Sequence, residues 1–442
     1  MRYLKIFITI LLFFQVFGTF AQDTLKIDEA VKNALENNYN IIIAEKNLEI
    51  AKNNVNRGNA GMLPTIDASG SATLNVNDET TEISIGERGE TQTIETQANF
   101  GRNYTARIQL NKTLFDGFNM FVTYDQLKEI RDRGEIDFQI NAQNMLRELI
   151  SIYYRAVTLK KNLISAEESI DISAERLGKV QEKFEVGAAL KLEVLRAQVA
   201  LNSDSTNFLE LQLAFKNAKR QIAFLMGEAP NADFMISEEI YLKSIPGREK
   251  LLERTLQANN SINRAIKEKK ISMLDRKKIM SSYYPRLSLS AGYNYNRTES
   301  ESGFMSLSES NGLSAGLTAS INLFNGFQTK NAVQNAEIRT AIKDVTIEQV
   351  RQQIKMSFLN SYENYKKRRE IYKKEQQNLK TARLNFERNE ELYSLGQVTS
   401  LELREAQLNL TMSKYRLNNA AYQTKLAETE LLILSSQLME KY

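Results

Sequence analysis

The stretch TIDASGSATLNVN, Thr65 to Asn77, alternates without interruption: Ile66, Ala68, Gly70, Ala72, Leu74 and Val76 against Asp67, Ser69, Ser71, Thr73 and Asn75. Successive side chains of a strand point to opposite faces, so the spacing predicts a strand with one apolar and one polar wall. The alternation lasts about ten residues, the length a strand needs to cross a bilayer. Three further runs repeat it. YTARIQLNKTL sets Tyr104, Ala106, Ile108, Leu110 and Leu114 against Thr105, Arg107, Gln109 and Asn111. Leu287, Leu289, Ala291, Tyr293 and Tyr295 form a third stripe, and Leu313, Ala315, Leu317, Ala319, Ile321 and Leu323 a fourth. A soluble pair of hairpins packed on a core would alternate in the same way. The long polar connections NDETTEISIGERGETQTIETQ and RTESESGFMSLSES, and the polar opposite faces, favour lipid on one side and water on the other. Four strands cannot close a barrel, because open edges are excluded from hydrocarbon and single-chain barrels begin at about eight strands. The wall is therefore expected to be shared between copies, and three chains would supply a twelve-strand barrel.

Outward from the strands, the chain is a tandem repeat. ALENNYNI from Ala34 aligns with TLQANNSI from Thr255, and Pro64 with Pro285, at an offset of 221 residues. LFDGF at Leu114–Phe118 aligns with LFNGF at Leu323–Phe327, and FEVGAALKLEVLRAQVAL from Phe184 with YSLGQVTSLELREAQLNL from Tyr393, at an offset of 209. The change of offset places a shorter loop in the second copy. Each copy reads helix, strand, strand, long helix, turn, helix. The expected divisions are a signal peptide at 1–21, a first repeat at 22–230, a linker at 231–248 and a second repeat at 249–442. All four prolines punctuate: Pro64 and Pro285 stand just before strands, and Pro230 and Pro246 lie at the join.

After LFDGF a helical pattern runs from about Asn119 to Glu185 without proline. At 1.5 Å per residue that is about 100 Å, far more than a bilayer's thickness. Leu190 to about Gly227 adds roughly 57 Å and Asp28 to about Asn59 roughly 48 Å. These two together match the long helix, so one continuous helix beside two stacked end to end is the expected packing. Leu146, Leu149, Tyr153, Val157 and Ile164 recur at spacings of three and four and mark the stripe that packs on neighbours. A two-stranded coiled coil would show the same stripe, so a non-channel periplasmic or surface coiled-coil protein stays open on this evidence.

Composition narrows the function classes. The 442 residues contain neither cysteine nor histidine, which excludes thiol nucleophiles, Ser/His/Asp triads and the usual zinc sites. No cofactor is implied, and no acidic pair sits in a recognisable catalytic context. Residues 1–21 carry Arg2 and Lys5, an apolar run from Ile6 to Phe17, and small residues at Thr19 and Ala21. That run is too short for a spanning helix, which needs about 20 residues, and suits a secretory signal. Export without cysteine leaves the fold to hold without disulfides and rules out an acylated N-terminal cysteine. The net charge of +4 makes no case for nucleic acid, and YKKRREIYKK, interleaved with Glu370 and Glu375, reads as a solvated helix face.

The duplicated order, the LF-D/N-GF corners, and the F/Y-x-x-G-x5-E-x4-Q signature at Phe184–Gln198 and Tyr393–Gln407 together resemble the TolC family of outer-membrane efflux proteins. The resemblance covers essentially the whole mature chain. It implies a membrane β-barrel plus α-helical barrel: a homotrimer with four strands per chain in a shared 12-strand barrel, continued by a 12-helix periplasmic tunnel. It implies an exit duct of a tripartite efflux pump or type I secretion system in the outer membrane, with a periplasmic adaptor and an inner-membrane transporter as partners. The corners Phe115, Gly117, Phe118 and Phe324, Gly326, Phe327 become the points where strand turns into tunnel helix, with glycine allowing the turn and the phenylalanines at the lipid interface. Gly187 and Gly396 become the tip turns. Glu402 and Glu405 correspond to the acidic ring that closes the tip, where crowding of like charges would raise some carboxyl pKa values. Glu193 and Tyr393 match two members of the family's latch. The third, an arginine two residues after the tip glycine, is Val398 here.

Overall fold

The computed structural model describes residues 24–85, 90–242, 245–301 and 305–438. The expected signal at 1–21 lies outside them. In chain order the elements are β1 (Thr24–Leu25), α1 (Ile27–Asn37), α2 (Tyr39–Asn53), β2 (Thr65–Ile85), β3 (Glu90–Asp116), α3 (Asn119–Glu185), α4 (Lys191–Leu225), β4 (Met235–Ile236), α5 (Arg248–Ala258), α6 (Asn260–Met280), β5 (Arg286–Ser300), β6 (Leu307–Ser320), α7 (Gln328–Ser394) and α8 (Ser400–Leu434). The two long helices have 67 residues each. The described residues divide between two compact units, one of 24–47, 136–264 and 348–438, the other of 48–135 and 265–347.

The second unit holds an antiparallel sheet of order β2-β3-β5-β6. Its register joins the four apolar stripes. Ile66, Leu110, Ala291 and Ala315 pair in one row, and Ala68, Ile108, Tyr293 and Leu313 in the next. Directly paired residues share a face. The other face carries rows such as Ser71, Thr105, Asn296 and Ser310. Ile66, Ile108, Leu317 and Leu313 are 69%, 56%, 63% and 87% exposed. Leaving such side chains in water forgoes about 1.5–3 kcal/mol apiece, so this wall is built for an apolar neighbour.

Two strand boundaries differ from expectation. β2 and β3 continue into what reads as a polar loop, with Glu79–Ile85 paired to Glu90–Thr96 beyond a bulge at Asn77/Glu79. Asp78 caps that bulge by accepting from the Ala98 amide at 2.8 Å, with Ala98 at φ 53°. The threonines and isoleucines of this stretch, Thr80, Thr81, Ile83, Ile85, Thr91, Thr93, Ile94 and Thr96, are β-branched and favour extended backbone. The extra length of the first hairpin is thus strand rather than loop. β6, conversely, ends at Ser320, where its pairing with Arg286 ends, so Ile321 and Leu323 lie outside the sheet.

In the first unit Leu146, Leu149, Tyr153 and Val157 of α3 are fully buried against α1, α4 and the β1–β4 pair. Ile164, on the same predicted stripe, is 41% exposed. The helix ahead of β2 is broken at Asn38 instead of continuous. Asn38 leaves the helical region at ψ 129°, accepts from the Asn40 amide at 2.9 Å, and donates to the Leu225 carbonyl at 2.8 Å. Asn259 repeats this, accepting from the Ser261 amide at 3.0 Å and donating to the Leu434 carbonyl at 3.0 Å. Each asparagine caps the second helix of a pair and satisfies the last carbonyl of the returning helix. The 221 and 209 offsets of the sequence meet in one hydrogen bond per copy.

Candidate functional site

The strand-to-helix corners are two left-handed residues in a row. Gly117 and Phe118 have φ of 67° and 69°, and Gly326 and Phe327 have 64° and 66°. Glycine tolerates that region freely, whereas a phenylalanine there is uncommon and costs about 1–2 kcal/mol. The same edge-on aromatic pair offsets the strain in both copies: Phe115–Phe118 at 5.2 Å and Phe324–Phe327 at 5.4 Å between centroids. The residue before each glycine caps the long helix. Asp116 accepts from the Met120 amide at 3.1 Å, and Asn325 from the Thr329 amide at 3.5 Å. Space separates the two corners. A Cβ on Gly117 would overlap the Ser281 carbonyl and reach Tyr284 Cβ at 2.9 Å, while one on Gly326 meets nothing within 4 Å.

At the other end of the long helices, both turns have one form. Gly187 (φ 75°) and Gly396 (φ 72°) terminate α3 and α7, with the next amides, Ala188 and Gln397, donating to Lys183 and Leu392 at 2.7 and 2.9 Å. This is the glycine-terminated helix end in which left-handed backbone returns orphan carbonyls to the chain. The helices that follow start differently. α8 begins with a capping box: the Glu402 amide donates to Thr399 Oγ1 at 3.2 Å, and the Thr399 amide donates to the Glu402 carboxylate at 2.7 Å. α4 begins at Leu190, whose side chain cannot cap.

The capping box changes the expected behaviour of Glu402. Within one chain, hydrogen bonds from the Thr399 amide and hydroxyl hold its carboxyl below the ordinary range. Glu402 and Glu405 are both exposed, one helical turn apart, while Leu403, Ala406 and Leu410 of the same helix are buried. Tyr393 is buried in an apolar cluster with Phe386, Leu403, Ala406 and Leu410, and Val398 packs against it. Lys183 Nζ lies 4.8 Å from the Tyr393 ring. Among the described residues no hydrogen bond joins Tyr393 to Glu193, so the expected latch pair is not assembled in the single chain.

A different tie joins the two tip hairpins. Arg404 of α8 grips Asp204 of α4 through two nitrogens, at 2.6 and 2.8 Å, with both side chains nearly buried. Ser173 of α3 donates to Asp204 and accepts from Arg404 at 3.1 Å. Gln407, 1% exposed, donates to the Ser169 carbonyl at 2.9 Å and to Ser173 Oγ at 3.0 Å. A bidentate, hydrogen-bonded pair of this kind fixes orientation as well as distance. Sequence reading missed it because its members lie some 200 residues apart. Its trace was Ser169/Ser173 and Arg404/Gln407 at helical spacing, polar residues facing inward.

A sheet with one lipid-type face, corners that convert strands into very long helices, and glycine-closed turns at their ends form the fold of outer-membrane channels. The chain is similar to the outer membrane protein VceC from Vibrio cholerae, with a TM-score of 0.71 at 15% identity, covering 92% of this chain and 95% of that one. It is also similar to the CmeC outer membrane channel of Campylobacter jejuni, with a TM-score of 0.72 at 17% identity, covering 93% and 85%. Protein CyaE of Bordetella pertussis (strain Tohama I) is 23% identical over 253 residues, 57% of this chain and 53% of CyaE. The chain thus spans about half the length of that curated relative. Residues 30–228 and 251–435 match the model of the outer membrane efflux protein family. The chain belongs to that family.

Proposed function

We propose that three copies of this chain form a passive exit duct in the outer membrane, carrying substrates from an inner-membrane transporter and a periplasmic adaptor to the exterior. The observation that carries this reading is the four-strand sheet itself. One face is apolar and exposed, the other polar, and its edges β2 and β6 have no partner among the described residues. In hydrocarbon every backbone group must be paired, so the edges must meet those of neighbouring copies. Three copies complete twelve strands, with the Ser, Thr and Asn rows lining water. The long helices then continue the wall as twelve tunnel staves, built from repeats 22–230 and 249–442 about the linker 231–248.

Glu402 and Glu405 supply the acidic ring at the tip, where six carboxylates about a threefold axis favour cations over anions. The Arg404–Asp204 pair holds the two hairpins of each chain together in place of the latch that Val398 cannot join. The family and the lack of histidine and cysteine point away from catalysis. In planar bilayers the Glu402→Ala, Glu405→Ala double variant is expected to lose block by divalent cations; unchanged block removes these residues from the gate. On gels run without boiling the duct migrates as three chains from the outer-membrane fraction. A chain that washes off in carbonate is a peripheral coiled coil instead.

A further inference from the structure

Arg176 of α3 is the one arginine among the described residues that is buried, at 4% exposure, and its Nε is buried without a hydrogen-bond partner. A buried guanidinium with an unsatisfied donor is costly and favours a nearby anion. Asp204 is the nearby acid, but Arg404 and Ser173 already occupy its carboxylate. Arg176 lines a cavity of about 480 Å³ together with Arg196 and Glu193 of α4, Arg404, and the first residues of α8, Ser400 and Leu401. The first amides of a helix have no carbonyl within it and carry the positive end of its dipole. Burial first, and the neighbouring Arg404 second, lower the Arg176 pKa from its ordinary value, with Asp204 and Tyr393 only partly opposing them. Two guanidiniums, Arg176 and Arg196, and a helix start thus converge on one cavity with a single lining carboxylate, Glu193, while Arg404 at its edge is already paired with Asp204.

We propose that this cavity is a binding site for a small oxyanion, a phosphate or carboxylate held by Arg176 and Arg196 with the Ser400 and Leu401 amides. The planar guanidinium fork matches either ligand. All of these residues belong to one chain, so the site goes beyond the duct reading and does not depend on it. A bound anion would join α3 and α4 of the first tip hairpin to the start of α8 in the second, making tip order sensitive to periplasmic anions.

The test is isothermal titration of the detergent-solubilised full-length protein with inorganic phosphate in chloride buffer. Wild type is expected to show one saturable site per chain. Arg176→Met should weaken it by about tenfold or more and Arg196→Gln by about threefold to tenfold. Glu193→Gln, which removes the one lining acid, should tighten it. Arg196 and Glu193 are exposed, so their variants report on the site even where Arg176→Met fails to fold. Saturable heat that is the same in wild type, Arg196→Gln and Glu193→Gln overturns the proposal. So does the absence of saturable heat in wild type, the result expected if a side-chain carboxylate of a second copy already fills the cavity.

Discussion

The two copies of the repeat are the same at their corners and breaks and different at their tips. Corner geometry, the capping Asp116 or Asn325, the Asn38 and Asn259 helix breaks and the glycine-terminated turns recur nearly atom for atom. At the tips, matching positions carry different chemistry: Leu190 answers to Thr399, Leu195 to Arg404, Arg196 to Glu405 and Ser413 to Asp204. Glu193 and Glu402 match in kind, yet only Glu402 has a capping partner. What recurs is what the backbone needs in order to turn. What differs is the side-chain chemistry beside the turns.

Three pairs of substitutions bear on that comparison. The largest contrast is expected at the corners. Alanine at either glycine places a side chain in the left-handed region, worth about 1–2 kcal/mol. Gly117→Ala also drives a Cβ into the Ser281 carbonyl, so it should abolish assembly while Gly326→Ala gives protein with a modestly lowered melting temperature. Equal yields on unboiled gels would show that the corners are equivalent after all.

At the tip, Arg404→Ala strands a nearly buried Asp204 and should cost about 3–5 kcal/mol of local stability, read as faster protease cleavage at the turns. Leu195→Ala, its repeat counterpart and 53% exposed, should change cleavage by less than about 0.5 kcal/mol.

The smallest effect is the cap. Thr399→Ala should loosen the start of α8 by about 1 kcal/mol, and Leu190→Thr, which builds a second capping box with Glu193, should firm α4 by a similar or smaller amount. Hydrogen exchange at the first-turn amides measures both. The Glu402 carboxyl pKa is lower in the folded chain, so its contribution is fully present above the unfolded carboxyl pKa. It is lost as pH falls through the folded value. Acidification through the carboxylate range should therefore lower the protection factors at the start of α8 in wild type, less so in Thr399→Ala, which keeps the backbone amide bond to Glu402, and not at all in Glu402→Gln.

Much of this architecture is legible in the chain. Alternation placed all four strands, the proline-free run gave α3 its bounds, and the repeat located both corners and both tips. The Thr399-x-x-Glu402 capping box was also written there as a hydroxyl three residues before an acid at a helix start, and it competes with the gate reading of Glu402. Other features escape a linear reading. A left-handed Phe118 is set by the corner's packing, since propensity argues against it. The Asn38 break depends on a carbonyl 187 residues away. The length of the first hairpin was hidden because the alternation of Ile83 and Ile85 is brief and sits among charged and hydroxyl residues that read as a loop.

The central claim is that β2 of one copy pairs with β6 of the next. The native chain has no cysteine, so a pair of introduced ones reports without background. One cysteine scanned over Ser69, Ser71 and Thr73 on β2, with another over Ser310, Gly312 and Ser314 on β6, should on mild oxidation give ladders that stop at three chains. Oxidation confined to single chains at every combination, in protein extracted from the outer membrane, would contradict the shared wall.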